Sequence, residues 1–364
     1  MAAGELREYS RRRLLAAQDP GGAFVASPTF EQYRYAWLRD GAFIAYALSS
    51  AGEVEAADRF HAWVGRVIMA SAPGIERAIA AAPSGRSPSP ADYLHCRYTL
   101  DGAHGPADWP TFQLDGPGIW LWALAERASA GPPLPAEALA GVLPAARYLA
   151  ALWQVPSHDA WEEHPDRIHT STLGAALAGL RAAEALGAGE PALARAAREI
   201  EVQLAAMARP HGHLTKWSGT DEPDASLLWL GPPLYRLYAP DDPAWLATIE
   251  VIEGRLRSPH GGVYRYIGDT YYGGGEWVLL CASLGLAQLS AGGDRGVELA
   301  RRSLDWIEQQ ADGAGDLPEQ VACHAQQPER IDEWVATWGP SARPLTWSHA
   351  MYLLLADALE RQAG

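Results

Sequence analysis

Two positions in the chain carry carboxylates suited to moving protons. Asp159-Ala160-Trp161-Glu162-Glu163 sets adjacent acids beside an indole. A neighbouring like charge and an apolar wall both raise a carboxyl pKa, as a general acid working near neutral pH requires. The same run also reads as a solvated acidic helix start. Far downstream, Leu317-Pro318-Glu319-Gln320 supplies a second glutamate, followed by Pro344-Leu345-Thr346-Trp347-Ser348-His349-Ala350. Inverting glycosidases hold two carboxyls about 6.5–9.5 Å apart, leaving space for the attacking water. Only the fold can bring Glu162 and Glu319 to such a separation.

Two further clusters have the chemistry of sugar recognition. In Tyr33-Arg34-Tyr35-Ala36-Trp37-Leu38-Arg39-Asp40 an adjacent Arg–Asp pair can meet hydroxyls from both donor and acceptor sides while an indole supports the ring. An N-terminal cap with a surface ion pair would leave the same pattern. Tyr264 to Trp277 (YRYIGDTYYGGGEW) combines aromatics, charge and close-approach glycines, either as a sugar-lined loop or as packing. No Lys-Ser/Thr follows its three glycines, so it is no phosphate cradle.

The elements that must position these clusters are helices. Val54 to Met69 places Ala57, Phe60, Val64 and Val67 on one stripe. Comparable patterns predict helices over 136–153, 171–187, 191–207, 243–256, 277–291, 296–311 and 344–361, and further helices are expected near 5–17, 38–51, 116–129 and 224–231. Strand-like alternation is scarce, and Pro and Gly concentrate between the helices. A dozen helices without a linker or composition shift suit one domain over 1–364. That domain is either a closed (α/α)6 barrel, six inner helices wrapped by six outer ones, or an open solenoid of helix pairs. The chemical clusters fall at helix starts or in the loops just before them, where a rigid scaffold presents reactive groups.

Composition narrows the partner. The chain of 364 residues has a net charge of −15 and is 48% hydrophobic, which argues for a packed globular protein and against nucleic acid or an anionic membrane. Fifteen Trp and 14 Tyr against five Phe favour flat faces with polar handles, although indoles also fill large cores. Cys96, Cys281 and Cys323 form no short-spaced pair, and the 11 histidines contain no HExxH, so neither a disulfide framework nor a metal or cofactor is expected. Ser10-Arg11-Arg12-Arg13-Leu14-Leu15 imitates a twin-arginine export motif, but Ala16-Ala17-Gln18-Asp19-Pro20 follows instead of an apolar stretch. A basic amphipathic first helix and a cytoplasmic protein are expected, without a membrane span.

In this order the clusters resemble glycoside hydrolase family 15, the glucoamylase family, from about residue 10 to 359. The resemblance rests on Trp37-Leu38-Arg39-Asp40, on Trp109 with Phe112-Gln113-Leu114-Asp115-Gly116, and on Trp161-Glu162-Glu163. Arg265-Tyr266, Asp269 to Tyr272 and Trp277 extend it, and Glu319-Gln320 with Leu345-Thr346-Trp347-Ser348 completes it. It implies an all-α (α/α)6 barrel that releases β-glucose from non-reducing ends with inversion. Glu162 would be the general acid and Glu319 the general base, with Tyr33 hydrogen-bonded to that base or its water. Arg39, Asp40 and Arg265 would hold the terminal glucose, and Trp37, Trp161, Tyr271 and Trp277 would line it. Trp109 and Glu163 would reach the leaving group, with Asp115 and Asp269 as supports. Neither a starch-binding domain nor an N-terminal β-sandwich is expected, so short α-1,6 or α-1,4 gluco-oligosaccharides are the expected substrates. Trehalases share the family. A sugar-binding protein without turnover and a phosphorylase on a similar barrel are the other classes that such a pocket could serve.

Overall fold

The computed structural model describes residues 3–106, 109–131 and 133–363. Helices α1 (Ala3–Ala16), α3 (Val54–Ala70), α6 (Ala136–Leu152), α8 (Pro191–Ala208), α9 (Pro243–Leu256) and α11 (Gly293–Gln309) form the outer layer. Between them run α2 (Leu38–Ser50), α5 (Asp115–Ser129), α7 (Thr170–Ala185), a 3-10 helix at Ala225–Trp229, α10 (Val278–Ala291) and α13 (Thr346–Ala363). These six inner elements pack in sequence, α2 on α5, α5 on α7, α7 on the 3-10 helix, and so on to α13. The last contact, α13 on α2, closes the ring. The fold is therefore an (α/α)6 barrel and not an open solenoid.

Residue patterning explains the two layers. In α10 every residue from Val278 to Leu289 is buried, as expected for a helix enclosed on all sides. In α11 only Gly296, Ala300, Ser303, Trp306 and Ile307 are buried, a single stripe with charge opposite. Inner helices approach closely where side chains are absent: a Cβ on Gly118 of α5 would stand 2.3 Å from the Ala175 carbonyl oxygen of α7. The basic first helix uses its arginines as fasteners. Arg7 pairs with Asp357 of α13, Arg13 with Asp316 at 3.2 Å, and Arg11 with Glu53.

The predicted helix over 224–231 is instead the five-residue 3-10 helix. Asp224 caps it by accepting from the Ser226 amide at 2.9 Å, and Gly231-Pro232-Pro233 stops propagation, since proline supplies no amide. Two short helices add to the expected set, α4 (Ala72–Ala81) and α12 (Ile331–Trp338). So do two antiparallel two-residue pairs, β1 (Ala36–Trp37) with β2 (Arg97–Tyr98) and β3 (Glu276–Trp277) with β4 (Gln320–Val321). Strand β1 leads into α2 and β3 into α10, so each pair fixes the entry to an inner helix. Among the described residues, no helix is long and apolar enough to cross a membrane.

Candidate active site

A cavity of about 360 Å³ opens at the end of the barrel where the inner helices begin. That volume lies in the range of about 300–1,000 Å³ usual for small-ligand sites. Its wall includes Tyr33, Trp37, Arg39, Asp40, Trp109, Trp161, Glu162, Glu163, Arg265, Tyr271, Trp277 and Glu319. Asp115 and Asp269 do not line it. Both stand behind the wall, as supports for arginines.

Glu162 occupies an unusual backbone position, φ 68°, a left-handed conformation that costs a non-glycine residue of order 1–3 kcal/mol. Asp159 holds it there. Its Oδ1 accepts from the amides of Trp161 and Glu163, both at 2.9 Å, and its backbone carbonyl accepts from the Glu162 amide at 3.0 Å. The Glu162 side chain receives its donors on one oxygen. Trp37 Nε1 donates to Oε1 at 2.7 Å, Gln113 Nε2 at 3.2 Å and the Cys96 thiol at 3.7 Å.

Glu319 precedes β4 and is 3% exposed. Tyr33 Oη donates to its Oε1 at 2.8 Å and Ser341 Oγ to its Oε2 at 3.2 Å, so both oxygens act as acceptors. Because the one Tyr33 proton points at Glu319, the 2.7 Å contact between the Tyr33 and Tyr271 hydroxyls takes its proton from Tyr271. Burial pushes the Glu319 carboxyl up to about 7, against the opposing effect of the Tyr33 and Ser341 hydrogen bonds.

Arg39 and Asp40 open α2 at the cavity floor, 5% and 7% exposed. Arg39 Nη1 donates to Gln113 Oε1 at 2.7 Å and Asp115 Oδ2 at 2.8 Å, whereas its Nε stands 3.8 Å from Asp40 and has no hydrogen-bond acceptor among the described residues. Burial raises the Asp40 carboxyl to about 7 despite Arg39. Also in the lining, Arg265 makes a bidentate pair with Asp269 at 2.7 and 2.5 Å and reaches Glu163 at 3.1 Å. Its guanidinium sits 5.2–5.4 Å from the rings of Trp161, Tyr271 and Trp277. Trp109, Trp277 and Trp347 line the same space, and their buried indole N–H groups have no hydrogen-bond acceptor among the described residues.

Several participants are not evident from local patterns. Trp161 Nε1 is anchored by both oxygens of Asp224 at 3.0 Å, and Asp224 in turn pairs with Lys216 at 3.4 Å. Gln113 links Arg39 to Glu162, Ser341 caps Glu319, and Phe30, Gln32, Trp334 and Trp338 complete the wall. Helix α12 delivers the last two, and the pairing of Trp334 with Tyr271 at 4.9 Å shows where it docks.

Known proteins share both architecture and sequence. A glucoamylase from Saccharomycopsis fibuligera superposes with a TM-score of 0.73 over 100% of this chain and 95% of its own at 16% identity, a likeness of fold. Residues 8–357 match the profile of Glycosyl hydrolases family 15, and the chain belongs to that family of glycoside hydrolases. An isomaltose glucohydrolase from Kribbella flavida is 42% identical over 98% of this chain and 92% of its own length. A solved glycosidase in complex with glucose, a variant protein, superposes with a TM-score of 0.92 at 41% identity, covering 98% of this chain and 97% of that one.

Proposed function

We infer that the chain is an exo-acting, inverting α-glucosidase that removes β-glucose from the non-reducing end of short α-gluco-oligosaccharides. Glu162 is the general acid, Glu319 the general base, and residues 1–364 act as one catalytic domain. The observation that carries this reading is the different hydrogen bonding of two carboxyls facing one cavity. Glu162 takes its donors on Oε1, which leaves Oε2 to carry a proton to the glycosidic oxygen. Glu319 accepts on both oxygens, an arrangement suited to the ionised form that takes a proton from water. As the bond from C1 to the leaving oxygen breaks, Glu162 protonates that oxygen. Water adds to the opposite face of C1, giving its proton to Glu319, so the anomeric configuration inverts.

Exo-action follows from the floor. A chain-end glucose would place its hydroxyls against Arg39, Asp40 and Arg265, whereas an internal sugar would leave those buried groups poorly matched. Exposure rises toward the rim, to 45% at Trp338, so the leaving sugar would sit near Glu163, Trp109 and α12. Similarity to an isomaltose glucohydrolase supports α-1,6 over α-1,4 linkages. Incubation with isomaltose, maltose, trehalose, maltotetraose and dextran, with glucose release followed by NMR, tests this. Isomaltose should give the highest kcat/KM. Preferential cleavage of trehalose would make the chain a trehalase, and turnover only with phosphate present would make it a phosphorylase.

A further inference from the structure

Behind the wall that carries Trp277 and Glu319, three metal-binding side chains converge that the hydrolytic chemistry does not use. Glu276 is adjacent to Trp277 on β3, and successive strand residues face opposite sides. Trp277 lines the cavity and Glu276 does not. Cys323 and His324 follow β4, which pairs with β3. One donor atom from each of Glu276, Cys323 and His324 lies within 4.8 Å of the other two.

We propose that Glu276, Cys323 and His324 form a binding site for a divalent zinc-class cation that clips β3 to the segment after the catalytic base. Two of the three spacings are those of ligands around one ion, and the third is within 4.8 Å. His324 Nδ1 is 3.2 Å from Glu276 Oε2 and 3.7 Å from Cys323 Sγ. Tetrahedral zinc, with bonds of about 2.0–2.3 Å to N, O and S, sets neighbouring donors about 3.3–3.8 Å apart. A mixed thiolate, imidazole and carboxylate set selects zinc-like ions over calcium or magnesium, which take oxygen ligands.

Charge and support agree with this. Glu276 is fully buried, and among the described residues the basic side chain within reach of its carboxylate is His324, with Nδ1 3.2 Å from Oε2. On binding, Cys323 would release its thiol proton to solvent, and the carboxylate and thiolate would balance the two positive charges. Ser258 Oγ donates to Glu276 Oε1, which turns Oε2 toward the other two ligands. Tyr264 donates to the His324 carbonyl at 2.7 Å and fixes that backbone, the kind of outer contact that orients metal ligands. His260 stacks on His324 with ring centroids 3.3 Å apart, close enough to supply the fourth ligand by side-chain rotation.

The test is metal uptake and needs no assay of hydrolysis. Chelator-treated, desalted full-length protein is titrated with Zn²⁺ against a chromophoric chelator, and separately with Co²⁺ under anaerobic conditions. One Zn²⁺ should bind per chain, and Co²⁺ should give a thiolate-to-metal charge-transfer band with intense tetrahedral d–d bands. Cys323→Ser should abolish the charge-transfer band, and Cys323→Ser and His324→Ala should each weaken zinc binding by more than about tenfold. Zinc should raise the Tm of the natural chain and not of the double variant. Both positions are at least partly exposed, and circular dichroism checks that each variant is folded. No uptake, or uptake with unchanged affinity in the folded double variant, would overturn the proposal.

Discussion

The Tyr33 hydroxyl donates to Glu319 Oε1 across 2.8 Å, joining residues 286 positions apart in the chain. The bond favours the ionised carboxyl, while burial raises its pKa to about 7. If Glu319 works as a base, kcat/KM rises with pH as it loses its proton, so the acid limb lies near 7. Asp40, also raised to about 7, ionises over the same interval and steepens that limb. Tyr33→Phe removes a donor to the charged form and should move the limb to higher pH by about one unit, the equivalent of one hydrogen bond. A pH profile of kcat/KM for both proteins measures the shift. An unmoved limb would separate Glu319 from the ionisation that controls activity.

Glu162→Gln and Glu319→Gln should each lower kcat on isomaltose by at least ~10³, within the ~10²–10⁴ that positioned acid–base groups supply. An activated substrate separates their roles. α-Glucosyl fluoride has a leaving group that needs little protonation, so Glu162→Gln should recover most of its activity on it and Glu319→Gln should not. Steady-state kinetics on both substrates, with melting curves as a folding control, checks the assignment.

The chemical parts of this site were more legible than its scaffolding. Arg39-Asp40, Trp161-Glu162-Glu163 and Arg265 to Trp277 stand out because charge and aromatics crowd into short segments at helix starts. Asp224, Ser341 and Trp334 do not, because each reaches the site through a tertiary contact with no local signature. Eleven of the expected helices form, eight of them read from helical periodicity in the sequence. The twelfth, over 224–231, has an apolar run too short to distinguish an α-helix from the capped 3-10 turn that forms. Helix α12 buries none of its residues, so no core stripe marks it. The candidate metal cluster has no local sequence signature because Glu276 is remote in sequence from Cys323 and His324, and the β3–β4 pairing brings them together.

Close packing within the inner ring gives a stability test. Gly118→Ala forces a methyl to 2.3 Å from the Ala175 carbonyl oxygen and should cost about 1–3 kcal/mol, as overpacking does. Gly254→Ala, in α9 with nothing within 4 Å, should instead stabilise by about 0.4–1 kcal/mol. Denaturant titration of both variants measures the contrast, and equal effects would mean that α5 and α7 do not touch as described.

Substrate length tests the buried floor. With Arg39 and Asp40 closing the cavity, kcat/KM should be highest for disaccharides and short oligomers and should not climb with chain length. Chains blocked at the non-reducing end should resist attack. A length series with product analysis reads this, and internal cuts in the blocked oligomer would show an open cleft.

In the proposed reaction Glu319 delivers water to the face opposite the bond that Glu162 protonates. Methyl α-isomaltoside tests it most directly, because all free glucose then comes from the non-reducing unit. Proton NMR in the first minutes, before mutarotation, should show β-glucose alone, with the α-anomer growing in later at the spontaneous rate. Initial release of α-glucose would mean retention through a covalent intermediate, and would contradict the acid–base pair assigned to Glu162 and Glu319.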